Sequence, residues 1–227
     1  MKNNSKQLEL LSNTTTAFEE EFYKYSTQFS YKKGSSPFYP DDLLKYFYVI
    51  VDGRVKTYQI NFQTNKEQTF FIYKRGDMFD LISLLDGKPH EVIYEVIEDA
   101  NVLRIPIDKV RYWLENYPAF NKKIFPYLAA HMRYTEELAE ELALYDTKER
   151  FLNLLVQNLN PENKFRYQLL QNLSNTEIAK LIGTVRHVLE RSIKELKAEN
   201  IIATSRRNIK INSLQKLLEK SSKMLLK

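Results

Sequence analysis

The chain of 227 residues contains no cysteine. That absence excludes disulfides, thiolate nucleophiles, iron–sulfur ligation and every cysteine-based zinc site, and with them redox sensing through sulfur. Glycine is scarce as well: the five glycines, at 34, 53, 76, 87 and 183, never come closer to one another than 11 residues. A dinucleotide-binding fingerprint, a P-loop and a Gly-x-Ser-x-Gly nucleophile elbow all need clustered glycines, so none is present. The three histidines, His90, His131 and His187, are too dispersed for a local metal-ligand motif. No metal and no cofactor is expected. Long apolar runs are missing too. Tyr46–Val51, six residues, is the longest in the apolar-rich middle of the chain, against the roughly 20 that a membrane-spanning helix needs. Met1 to Asn13 is polar, without the apolar stretch of a signal peptide. These absences read as a cytoplasmic protein, not an enzyme, with no membrane partner.

What is present is asymmetric. The chain carries a formal net charge of +5. Residues 147–227 hold 16 Lys and Arg against 7 Asp and Glu, whereas residues 1–146 hold 18 against 22. A basic module joined to a non-basic one suits a phosphate-binding partner, because Lys and Arg displace counterions condensed on nucleic acid; a solvated basic tail is the alternative. Texture divides the chain in the same way. Residues 1–28 read as helical, with Leu8, Leu11, Phe18, Phe22 and Tyr25 at helical spacing, and suggest a short lid. From Phe29 to Ile107 short β-rich runs (YFYVIV, RVKTYQINF, QTFFIY, HEVIYEVI, VLRI) alternate with turn residues, which predicts an antiparallel β-barrel or jelly roll. Asp52-Gly53 reads as one of its hairpins.

A helical region runs from Ile107, past an interruption at Pro118, to about Tyr145. Within it Ile124, Leu128, His131, Thr135, Leu138, Leu142 and Tyr145 recur at alternating intervals of four and three, flanked by Glu136, Glu137, Glu140 and Glu141. This heptad rhythm predicts either a two-stranded coil between protomers or a seam packed on its own domain. His131 is then either a pH sensor on that seam or a hydrogen-bonded structural residue.

Beyond Tyr145 the pattern predicts a helix over 148–159, a helical pair between Ser174 and Asn200, a strand pair over 201–211 and a short helix from Ser213. Ser174 followed by Glu177 forms a capping-box pattern. Ile178, Ala179 and Ile182 face inward, Gly183 supplies the turn, and Thr184 is placed to cap the second helix. On that helix Val185, Val188, Leu189, Ser192 and Leu196 form the inner face, and Arg186, His187, Glu190, Arg191 and Lys194 the outer one. A helix fits the major groove of B-form DNA, where an arginine can bond guanine O6 and N7 together. Arg186, His187, Glu190 and Arg191 are therefore candidate base readers, with Glu190 either accepting from cytosine N4 or orienting its cationic neighbours. Ser174, Asn175, Thr176, Thr184, Lys194, Arg206 and Arg207 are candidate phosphate contacts.

The stretches YFYVIVDGRVKTYQI, KRGDMF and DTKERFLNLL, and above all GTVRHVLERSIKEL from Gly183, resemble landmarks of the Crp/Fnr superfamily of bacterial transcription regulators. The resemblance spans nearly the whole chain. It implies an α+β architecture: a sensor-like barrel with N-terminal helices over 1–118, a dimerisation helix over 119–146 and a winged helix-turn-helix over 147–227. It further implies a homodimer that binds a palindromic operator on double-stranded DNA, with RNA polymerase as the partner that activation would require. Arg186 and Arg191 fall on the family's two base-reading arginines. His187 stands where the family usually has glutamate, and Val185 where it has a phosphate-binding Ser or Thr, so the half-site is expected to depart from the common TGTGA type. In relatives that bind cyclic AMP, a Gly-Glu pair holds the ribose and an Arg-Ser pair the phosphate; here those places fall on Asp80 and Leu81 and on His90 and Glu91. An anionic phosphate beside Glu91 with no guanidinium would be repelled. Regulation without cyclic AMP, either ligand-independent or through an unknown small effector, is the expectation. The alternatives are a cyclic-nucleotide-responsive regulator with an atypical pocket and a cupin-like jelly-roll enzyme.

Overall fold

A computed structural model describes residues 8–221 of the chain. The expectation for residues 1–7 lies outside the described residues. Two compact units are present, one built from residues up to 57 together with 72–132, the other from 58–71 together with 133 onward. The division falls inside a β-hairpin and inside the long helix, rather than at the ends of that helix.

The described residues open with a 3-10 turn, Glu9–Leu11, and α1 (Thr16–Tyr25), whose first turn is closed by the Thr15 hydroxyl accepting from the Phe18 amide at 3.2 Å. The strands and helices β1 (Thr27–Tyr31), α2 (Pro40–Leu43), β2 (Tyr46–Asn61), β3 (Lys66–Tyr73), β4 (Met78–Phe79), α3 (Leu81–Asp86), β5 (Ile93–Pro106), α4 (Ile107–Asn116) and α5 (Pro118–Leu144) follow. The sheet has the order β1-β5-β2-β3, with β4 paired to β2. β1 runs antiparallel to β5 with Phe29 opposite Val102, and β4 antiparallel to β2 with Tyr48 opposite Phe79.

Two expectations are corrected here. Leu8, Leu10, Leu11, Phe18 and Phe22 are all buried, and Phe18 lies edge-on to Trp113 of α4 at 5.4 Å. The N-terminal segment is therefore part of the core, not a lid. Asp52-Gly53 is not a hairpin either: β2 runs straight through it. Gly53 has φ +81°, and a Cβ there would lie 2.2 Å from the Asp99 carbonyl oxygen and 2.6 Å from Ala100 Cα. The glycine is required because the β5 backbone passes against it, an approach that only the tertiary pairing reveals.

The sheet interior is filled by aromatic rings. Phe38 meets Tyr48, Phe79 and Tyr94 at centroid distances of 5.1, 4.9 and 6.0 Å, and Tyr48 stacks on Phe79 at 5.1 Å. Edge-to-face and offset geometries of this kind add to the burial of large apolar area.

In the second unit Phe71, at the inner end of the hairpin segment 58–71, packs on Tyr134 (4.7 Å) and Phe165 (5.4 Å). α6 (Thr147–Gln157) begins with a reciprocal capping box between Asp146 and Glu149. Then come α7 (Asn175–Leu181), α8 (Arg186–Ala198), the antiparallel pair β6 (Ile202–Ser205) and β7 (Asn208–Ile211), and α9 (Leu214–Lys220). Helices closed by a basic β-hairpin make the winged helix that the sequence predicts. Glu141 of α5 and Arg166, both almost fully buried, are paired at 3.3 Å, and Gln157 donates to the same carboxylate at 3.2 Å.

Candidate nucleic-acid interface

The start of α7 is set by Ser174, whose hydroxyl accepts from the Glu177 amide at 3.2 Å, satisfying one of the backbone donors that every helix start leaves open. Ile178, Ala179, Leu181 and Ile182 are buried. Gly183 then takes φ +68°; a Cβ there would meet Gln68 Oε1 at 2.7 Å and Leu142 Cδ2 at 2.8 Å. Thr184 does not cap α8. Its amide donates to Ala179 at 2.9 Å, and the N-cap is Val185, which offers no side-chain bond. Val185 also departs from the expected inner face, being 48% exposed: at the N-cap it precedes the helical phase that buries Leu189, Ser192, Ile193 and Leu196. Val188 is half-buried.

The opposite face of α8 presents Arg186, His187, Arg191 and Lys194 to solvent, with Glu190 half-exposed among them. Arg186 Nε donates to Glu190 Oε1 at 2.7 Å, and Asn175 Nδ2 reaches the same oxygen at 3.4 Å. These bonds, the Arg186 one first, hold the Glu190 carboxyl below the usual carboxylate range. β6 and β7 are joined by Arg206 and Arg207, both exposed. Arg207 sits at φ +56°, and its carbonyl accepts from the Asn172 amide at 3.0 Å, pinning the wing tip. Between α7, α8 and the wing lies a concavity of about 260 Å³, lined among others by Ser174, Asn175, Thr176, Arg186, Arg207 and Asn208. Hydroxyls, amides and guanidiniums over a floor that includes Leu173 and Ile193 are suited to anionic oxygens.

Residues that the sequence did not single out hold this head in place. Arg150 of α6 donates to the carbonyls of Ile182 and Tyr145, each at 2.8 Å. Gln68 donates to the Leu181 carbonyl at 3.2 Å, and Glu67 pairs with Lys180 at 2.6 Å. The contacts of Arg150 with Ile182, of Gln68 with Leu181 and of Glu67 with Lys180 join residues at least 32 apart in sequence, so no local pattern could have found them.

The expected heptad seam splits. Ile124 and Leu138 are buried in their own chain. His131 is largely buried, its Nε2 3.2 Å from the Tyr73 hydroxyl and its ring stacked on Tyr73. Burial lowers its pKa to about 4, so it is neutral at physiological pH and does not sense pH near neutrality. Leu128 and Tyr145 are half-buried, while Thr135 and Leu142 are exposed. The apolar residues that α5 shows to solvent are Phe125 (58% exposed), Met132 (58%), Leu142 and Leu144. Phe125 and Met132 lie one residue beyond the predicted Ile124 and His131, which are turned toward their own chain, whereas Leu142 is a predicted seam residue and is exposed.

In the barrel, the four pocket candidates meet in part. His90 Nδ1 lies 2.9 Å from Asp80 Oδ1; Asp80, at φ +62°, precedes α3 and is buried, as is Leu81, whereas Glu91 is exposed. No group of three metal-ligating side chains occurs among the described residues, and no helix among them is long and apolar enough to cross a membrane.

Residues 28–117 match the cyclic nucleotide-binding domain family, and residues 149–220 the Crp-like helix-turn-helix domain family. The global nitrogen regulator of Synechocystis sp. is 23% identical over 81% of this chain and 84% of its own length. The cyclic AMP receptor protein of Thermus thermophilus is 24% identical over 76% of this chain and 77% of its own. Among solved structures, a CooA mutant from Carboxydothermus hydrogenoformans superposes with a TM-score of 0.78 at 22% identity, covering 97% of both chains.

Proposed function

We propose, from the premise that this chain is a DNA-binding transcription regulator of the Crp/Fnr type, that it binds a palindromic operator as a homodimer and does so without cyclic AMP. One observation carries the reading: the solvent face of α8 bears Arg186, His187, Arg191 and Lys194 beside a donor-lined groove whose far wall is the wing. Arg186 and Arg191 read bases, with His187 and Glu190 between them. Ser174, Asn175, Thr176, Thr184, Lys194, Arg206 and Arg207 take phosphates, fixing register without reading sequence. The sensor-like domain spans 1–118, the dimerisation helix 119–146 and the reading domain 147–227.

Dimerisation uses the exposed apolar residues Phe125 and Met132 of α5 against the same residues of a second copy. Burying such residues removes apolar surface from water. The protein acts in the cytoplasm, and RNA polymerase is its partner where it activates. Independence from cyclic AMP rests on the Asp80–His90 pair and on the absence of a guanidinium at the positions the family uses for the phosphate. A second reading, an atypical pocket that still takes a cyclic nucleotide, is favoured by the family match over residues 28–117.

Binding-site selection with sequencing tests these points together, run with no addition, with cyclic AMP and with a small-molecule cell extract. The expected product is a two-fold symmetric site with a half-site unlike TGTGA, bound with undiminished affinity when nothing is added. Recovery of TGTGA half-sites would overturn the role of His187. Selection only in the presence of cyclic AMP would establish the second reading.

A further inference from the structure

A carboxylate on a surface that meets phosphates is repelled by them, so Glu190 weakens non-specific attraction wherever it stands. Its geometry accounts for its presence. A single oxygen, Oε1, receives Arg186 Nε at 2.7 Å and Asn175 Nδ2 at 3.4 Å, and so ties the first residue of α7 to the first residue of α8. Arg186 is 65% exposed on its side chain. An arginine this free samples many rotamers and loses that freedom on binding. The tether removes part of that loss in advance. It also selects an edge. A guanidinium carries five N–H donors, one on Nε and two on each Nη. With Nε turned to Glu190, the Nη1–Nη2 edge is left for the two acceptors of a guanine, O6 and N7.

We infer that Glu190 is a positioning residue: it reads no base, but holds Arg186 so that its terminal edge faces one guanine of each half-site, with Asn175 bracing the carboxylate from α7. This rests on the reading of the chain as an operator-binding dimer. The competing assignment, in which Glu190 accepts from a cytosine amino group, makes a different prediction at the level of single base positions.

The experiment uses the full-length protein with Glu190→Ala, Glu190→Gln, Arg186→Ala and the double variant Arg186→Ala/Glu190→Ala. Each is put through site selection and then titrated against the selected duplex and a random duplex. Glu190→Ala is expected to lose about tenfold on the selected site, a part of what a bidentate arginine–guanine contact supplies, while binding the random duplex more tightly because a negative charge is gone. Preference weakens at the guanine column alone. Glu190→Gln, whose amide oxygen can still accept from Nε, recovers part of the loss, and the double variant loses no more than Arg186→Ala. Melting temperatures stay close to that of the parent, since an exposed pair at this spacing adds little to helix stability. A changed preference at a cytosine column, an unchanged guanine column, or additive losses would each overturn the positioning role. Failure of the parent protein to select any symmetric site would instead overturn the operator-binding reading itself.

Discussion

The barrel interior and the reading head treat polar side chains in opposite ways. In and against the barrel Asp80 is bonded to His90 and His131 to Tyr73, while stacked and edge-on rings fill the space around them; these polar groups are turned onto the chain itself. On α8 and the wing the cations point outward, and the Arg186 side chain donates to Glu190. The first arrangement lowers the energy of the folded chain. The second leaves donors unspent until a partner arrives. Substitutions in the two places should therefore separate stability from recognition.

The largest separation is expected at Trp113, fully buried among Phe18, Phe22 and Phe120 and donating from its indole nitrogen to Glu21. Trp113→Ala should cost about 3–5 kcal/mol of unfolding free energy, read as a lower urea midpoint, with the selected half-site unchanged. A loss under about 1 kcal/mol would mean that the aromatic cluster is not a cooperative core.

His131 gives the next effect. Its pKa is about 4 in the folded chain against roughly 6.5 when exposed, so protonation favours the unfolded state. The stabilising contribution is fully present above about pH 6.5 and is lost as pH falls towards 4, by on the order of 2–3 kcal/mol. Urea midpoints measured between pH 7 and 4 should fall in the parent and fall less in His131→Gln; parallel curves would exclude His131 as the group responsible.

Recognition comes third. Arg186→Ala is expected to cost about 1–3 kcal/mol on the specific site and little on random DNA, without moving the urea midpoint. Equal losses on both duplexes would make Arg186 a phosphate contact. The smallest change is at Ser174, where removing the cap should cost about 1 kcal/mol of stability. Because Ser174 also lines the groove beside the wing, Ser174→Ala tests whether the two properties separate at all: DNA affinity should fall with it if the hydroxyl meets a phosphate, and hold if it is only a cap.

The reading head was legible because its signals are local. Ser174 before Glu177, Gly183 between two amphipathic segments and the alternating strands around Arg206 and Arg207 each act within a few residues, and the outward phase of Arg186, His187, Arg191 and Lys194 follows from helical period alone. Errors in this region are of one residue: Val185 rather than Thr184 is the N-cap. The barrel and α5 were less legible because their signals are distant. Asp52-Gly53 has the composition of a hairpin, but it lies inside one strand, where the approach of Asp99 and Ala100 leaves no room for a side chain. On α5, Ile124 or Phe125, and His131 or Met132, satisfy the same periodicity, and nothing local distinguishes a face covered by its own chain from one left for another.

The sequence by itself determined the order of modules, the concentration of basic residues at the C-terminal end and the side chains on the outer face of α8, since charge and helical phase belong to the chain before it folds. Tertiary structure decided the rest. It turned His131 and Ile124 inward, joined Asp80 to His90, placed Arg150 on the end of α7 and bound Glu190 to both Asn175 and Arg186. Each of these depends on which surfaces meet, and a hydrogen bond or a buried ring has no energy until its partner is brought within reach.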